Sequence, residues 1–151
     1  MNTPTHRTSR RARGFTLIEL TIAVAVAGVL SATAVPGFEG HLQKARRSDV
    51  LASMMQIQSA QERFRGNSTG YGSLAEIGVP AVSLARHYRL DTTATGTDGY
   101  AAVAVATGLQ ARDATCRHMT LRAVGANLVY ASGPDPAVAN DASVNRRCWM
   151  L

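Results

Sequence analysis

Residues Phe15–Val35 read FTLIELTIAVAVAGVLSATAV, directly after Arg13-Gly14. The run is apolar over 21 residues apart from one acid, Glu19. As a helix it spans about 30 Å, the thickness of a bilayer's hydrocarbon core. A carboxylate is costly at that depth, so its presence points to a role and calls for a partner. If the chain were cut between Gly14 and Phe15, the new α-amine of Phe15 would lie close in depth to Glu19. Ammonium and carboxylate could then neutralise one another, within one chain or between neighbouring chains.

The charge distribution agrees with a segment held at a membrane. The chain has 151 residues, 46% hydrophobic and 17% charged, with formal net charge +6. Four of its 16 Lys and Arg residues, Arg7, Arg10, Arg11 and Arg13, precede the apolar run; the remaining 12 face 10 acids, a net of +2. A basic stretch before an apolar run stays on the cytoplasmic side of a membrane.

Arg13-Gly14-Phe15-Thr16-Leu17-Ile18-Glu19-Leu20 resembles the type IV prepilin signature: a short basic leader ending in Gly, then Phe, three further residues and Glu. The resemblance implies cleavage after Gly14 by a prepilin peptidase, N-methylation of Phe15 and a docking role for Glu19. It also implies other pilin subunits, the inner membrane and an assembly platform as partners. Gly28 and Pro36 match the family's helix weak points, since Gly lowers helix propensity and Pro removes a hydrogen bond. A rival is a secretory signal cut near Ala32-Thr33-Ala34, which leaves Glu19 unexplained.

Beyond Pro36, Val50, Met54, Ile57, Ala60 and Phe64 recur at steps of three and four, an apolar helical stripe. Gly66-Asn67 is a stop signal. One helix from Phe15 to about Arg65 is expected, with a coiled-coil arm as the alternative reading of the stripe. Residues 67–86 read as loop with a helical turn near Ser73–Ile77. Strand alternation begins at His87, Gly96-Thr97-Asp98-Gly99 is a hairpin turn, and Tyr100–Thr107 alternates Val with Ala. In that strand Val103 and Val105 are expected to face the helix. Further strands are expected over Met119–Val124 and Leu128–Ala131, and beyond Ser132 the chain reads as irregular. The fold class is α+β: a long N-terminal helix, its first half membrane-spanning, on an antiparallel sheet of about four strands. The expected organisation is a leader over 1–14, an assembly helix over 15–38, its amphipathic continuation over 39–66, and a head over 67–151.

Cys116 and Cys148 read as one disulfide formed after export, two free buried thiols being the alternative. Their layout around a strand pair, with Trp149 beside the second, looks most like PilE-type minor pilins, and the resemblance carries that family's disulfide onto them. Trp149 reads as a packing residue.

Histidines 6, 41, 87 and 118 show no metal-ligand spacing, and no phosphate-cradling loop or nucleophile elbow is present. No catalytic residue, metal or cofactor is expected. Two relatives of the pilus subunit stay open: a type II secretion pseudopilin and a DNA-receptor minor pilin. For DNA the best patch is Arg146-Arg147, with Arg86, Arg89, Arg112, Arg117 and Arg122 elsewhere in the head. A scatter of solvated charges is the preferred reading of these arginines, because the net charge is small without the leader.

Overall fold

The computed structural model describes residues 14–150, and residues 33–37 by backbone alone. The expected leader therefore lies outside the described residues except for Gly14, as does the side chain of Pro36. The elements follow in the order α1 (Leu17–Arg65), β1 (Tyr88–Ala94), β2 (Gly99–Ala106), a 3-10 helix (Gly108–Arg112), β3 (His118–Val124), β4 (Asn127–Gly133) and α2 (Ala142–Cys148). One compact unit ends at Phe38 and a second begins at Glu39.

In the first unit the apolar side chains of α1 point outward all round, with Leu17, Ile18, Leu20, Ile22, Val24 and Val26 exposed, as is Phe15 just before the helix. Among the described residues no helix is long and apolar enough to cross a membrane. The segment expected to span, 15–38, runs through residues 33–37, whose side chains are outside the described set.

The second unit is a single-core α+β head. From α1 it takes Val50, Met54, Ile57 and Ala60, all buried, with Phe64 at the margin. These are the residues of the three-and-four stripe, so helical periodicity alone selects the face that packs. The sheet is an antiparallel meander in the order β1-β2-β3-β4. Register runs through Leu90↔Ala104, Ala102↔Leu121 and Leu121↔Tyr130. Two glycines are needed in it. Gly125, at φ 58°, opens the two-residue turn between β3 and β4 in a conformation that L side chains resist. A Cβ on Gly99 would stand 2.5 Å from the Ala123 carbonyl oxygen.

The phase of β2 is opposite to the expectation. Tyr100, Ala102, Ala104 and Ala106 are buried, while Val103 and Val105 lie on the outward face. Tyr100 decides the phase, because its ring goes into the core and packs against Tyr71 with centroids 4.9 Å apart and planes tilted by 52°. Every second residue after it then faces α1, and alanines there permit close approach of the helix.

The tail also differs from the irregular segment expected. Ala142–Cys148 is helical, and Asp141 accepts hydrogen bonds from the backbone N–H groups of Ser143 and Val144. That is an N-cap on a short helix, and the caps pull the Asp141 carboxyl below its usual pKa, the Ser143 side chain contributing most.

Candidate functional site

Three places carry the residues singled out by the sequence. The first is the start of α1. Thr16 donates to Glu19 Oε2 from both its backbone N–H (2.9 Å) and its hydroxyl (2.8 Å). The Glu19 N–H in turn donates to Thr16 Oγ1 at 3.3 Å. This is a reciprocal capping box. Glu19 therefore has a local partner in Thr16, where the partner expected from the sequence is a liberated Phe15 amine. Gly14, before the expected cut, has open space about it, and Phe15 is exposed.

The second place is the corner where the tail meets the sheet. Cys116 and Cys148 are disulfide-bonded. Beside them Asp113, buried, accepts from Arg47 Nε at 2.7 Å and from the terminal Nη2 at 2.9 Å, a bidentate pair from α1. The Gln110 amide and the Cys116 N–H also donate to Asp113, and Arg47 donates to the Arg147 carbonyl. Helix and 3-10 turn thus share one carboxylate, and Arg47 ties them to the tail. Trp149 is buried with its ring edge-on to Tyr130 at 4.9 Å.

The third place is the outward face of the sheet and its rim. The head's arginines divide here into paired and open. Arg112 faces Glu39 at 3.8 Å, Arg117 donates to the Ala111 carbonyl and Arg147 to the Ser143 carbonyl. The side chains of Arg86, Arg89, Arg122 and Arg146 have no partner among the described residues and are exposed. Arg146 and Arg147 both sit on α2, next to the disulfide. Arg89 and Arg122 sit on the outward face, at register positions opposite Val105 and Ala101. Arg86 has φ 59°, unusual for a non-glycine. Its loop is fastened by Asp49, which accepts from the Ser83 hydroxyl and from the Ala85 and His87 N–H groups. Asp49 stands next to Val50 of the apolar stripe, and spacing along the helix carries no mark of its bonds to a loop more than thirty residues away.

Between β3 and the segment after β4 the outward face is hollowed into a cavity of about 400 Å³. His118, Thr120 and Arg122 line it from β3, Val103 from β2, and Pro136 and Val138 from above. Among the described residues no group of three or more His, Cys, Asp or Glu is arranged to hold a metal.

Comparison with known proteins places these features in a family. Residues 36–120 match the family model described as "Type IV minor pilin ComP, DNA uptake sequence receptor". Residues 9–35 match the prokaryotic N-terminal methylation motif. The type IV major pilin protein PilA of Myxococcus xanthus is 38% identical over 73 residues, 48% of this chain and 33% of that protein. The type II secretion system core protein G of Pectobacterium carotovorum is 32% identical over 72 residues, 48% of this chain and 46% of that one. The type IV major fimbrial protein FimA of Dichelobacter nodosus is 40% identical over 50 residues, 33% of this chain and 32% of that one. These matches span between about a third and a half of the relatives' own lengths. With an N-terminal methylation motif, a helix on a four-stranded antiparallel sheet, and a family match running over more than half of its residues, the chain belongs to the type IV pilins, in the ComP minor pilin family.

Proposed function

We propose that the chain is a minor subunit of a type IV pilus whose head receives DNA. It is made as a membrane-held precursor, cut between Gly14 and Phe15, methylated at Phe15, and packed with other pilin subunits through its apolar helix. The observation that carries the assembly reading is the surface of α1 in its first unit: apolar side chains exposed all round. A helix apolar on every side needs cover from lipid or from other helices. Glu19, capped by Thr16 before cleavage, is available afterwards to the Phe15 amine of its own chain or of a neighbour. Intact mass of pilus-associated protein tests this: a start at methylated Phe15 is expected, and retention of the first fourteen residues would overturn it. Glu19→Ala and substitution of Gly14 are expected to block piliation or processing while the head still folds.

The DNA reading is supported by the open arginines Arg86, Arg89, Arg122 and Arg146, and by the description of the matching family. Cations without acidic partners are what a phosphate backbone requires, and such binding weakens steeply with salt. A salt-dependent mobility shift with a DNA duplex is the test, and no shift at low salt would remove DNA from the proposal. The similarity to a type II secretion core protein keeps a pseudopilin as the second reading. Loss of piliation, rather than of secretion, on deletion would decide for the pilus.

A further inference from the structure

The hollow on the outward face of the sheet is built, rather than left over from imperfect packing. Its floor is one face of β3, where His118, Thr120 and Arg122 stand two residues apart along the strand, joined by Val103 of β2 across the Thr120 register. Its roof is the segment after β4, which folds back so that Ser132 bridges Ala139. Val138 lies over Gly133, where an added Cβ would be 3.5 Å from its Cγ1. Asn145 of α2, buried, holds the roof from behind: its amide donates to the Tyr130 carbonyl and to Asn140 Oδ1, and it accepts from the Ser132 hydroxyl. The disulfide fixes α2 in turn to the approach of β3.

The electrostatics of the lining are one-sided. Arg122 and His118 have no side-chain partner among the described residues, and no carboxylate lines the hollow. The nearest acid in the roof sequence, Asp135, already accepts from the Ala137 N–H. A guanidinium, an imidazole N–H and a hydroxyl along one strand, with Val103 beside them on the floor and Pro136, Val138 and Asn140 above, form a concave site that sets donors next to apolar surface. The volume of about 400 Å³ falls in the ~300–1,000 Å³ range of small-ligand pockets.

We propose that this hollow seats one nucleotide unit of a DNA strand, its phosphodiester on Arg122 and His118 and its sugar or base edge against Val103, Pro136 and Val138. The proposal rests on the DNA reading above and locates it on the sheet rather than on Arg146-Arg147. Those two are exposed on α2 and line no part of the hollow.

The experiment uses the full chain in detergent micelles and a short fluorescein-labelled DNA duplex, with anisotropy read over a series of salt concentrations. Arg122→Ala is expected to weaken binding roughly tenfold and to lower the salt slope by about one. His118→Ala and Val138→Asp are expected to weaken it too. Arg63→Ala, the same charge change on α1, serves as control, and circular dichroism checks that each variant is folded. If the native chain binds and the groove variants behave like the control, the hollow is not the seat and DNA reception stands elsewhere. If the native chain fails to bind at low salt, the DNA reading itself falls. Competition by inorganic phosphate as effective as by unlabelled duplex would overturn the assignment to DNA.

Discussion

Replacing Asp113 with Ala is the most informative single perturbation of the head. The carboxylate is 2% exposed and its partner Arg47 13%. Four donors converge on it: two from Arg47 at 2.7 and 2.9 Å, the Gln110 amide at 3.1 Å and the Cys116 N–H at 3.3 Å. Its removal takes both carboxylate bonds from a nearly buried guanidinium and the bond of the Cys116 N–H, while the Gln110 amide keeps the Gln43 carbonyl and the Tyr88 hydroxyl. Breaking a buried pair by deleting one partner costs roughly 3–5 kcal/mol. For a head of this size that lowers the melting temperature by about 10–20 °C. The assay is thermal and denaturant unfolding of the oxidised full chain in micelles, followed by the fluorescence of Trp149, the one tryptophan. The double replacement Arg47→Met with Asp113→Leu is expected to recover most of the loss, because an apolar pair of similar volume carries no unpaired charge. A cost for Asp113→Ala below about 1 kcal/mol, typical of a surface ion pair, would refute the reasoning.

Reduction of Cys116–Cys148, separated by 32 residues, is expected to remove about 3–4 kcal/mol. It should also release amide protection in α2 and the roof segment before the sheet, as hydrogen exchange would reveal; simultaneous loss everywhere would count against the tail's separate anchorage. Burial pushes both Tyr88 and Tyr100 up to about 12 from an ordinary 10.0. Because the folded state holds these protons more tightly than the unfolded chain, their contribution is intact below pH of about 10 and drains away as pH rises toward about 12. Ultraviolet titration should show the two ionising together with unfolding, and their ionisation in a fully folded head would contradict it. Gly99→Ala forces a Cβ to within 2.5 Å of the Ala123 carbonyl oxygen and 2.8 Å of Thr95 Oγ1. A loss of about 1–3 kcal/mol in denaturant titration is expected, and an unchanged midpoint would show that the strands can part there at no cost.

What the sequence disclosed follows from how local each signal is. Val50, Met54, Ile57 and Ala60 announce a packed helical face by spacing alone, and Gly96 and Gly125 mark the turns because their backbones need positive φ. The phase of β2 was harder. Where Ala alternates with Val, hydrophobicity favours the valines inward, yet the Tyr100 ring sets the opposite phase. The short helix α2 offers few apolar residues to a periodicity search, and its only legible mark was the cap at Asp141. Gln61 gave no hint that it would be buried, donating to the Gly72 carbonyl and accepting from its N–H. The Gly14, Phe15 and Glu19 signature stood in plain view because it is contiguous. The hollow on the sheet did not, since its floor and roof are brought together by a fold-back and by Asn145, neither of which sequence spacing encodes.

The order β1-β2-β3-β4 has a kinetic corollary. Every strand hydrogen-bonds only to its neighbour along the chain, so each ladder closes a short loop and none waits for a distant segment. Chains of low contact order fold fast, and this sheet can zip up hairpin by hairpin against a helix already formed. Cys148 lies past the last strand, and the folded meander is what holds the two thiols side by side. Oxidation then acts as a latch on a finished head rather than as a guide to its shape, and a chain denied an oxidant should still reach its sheet while leaving its tail undone.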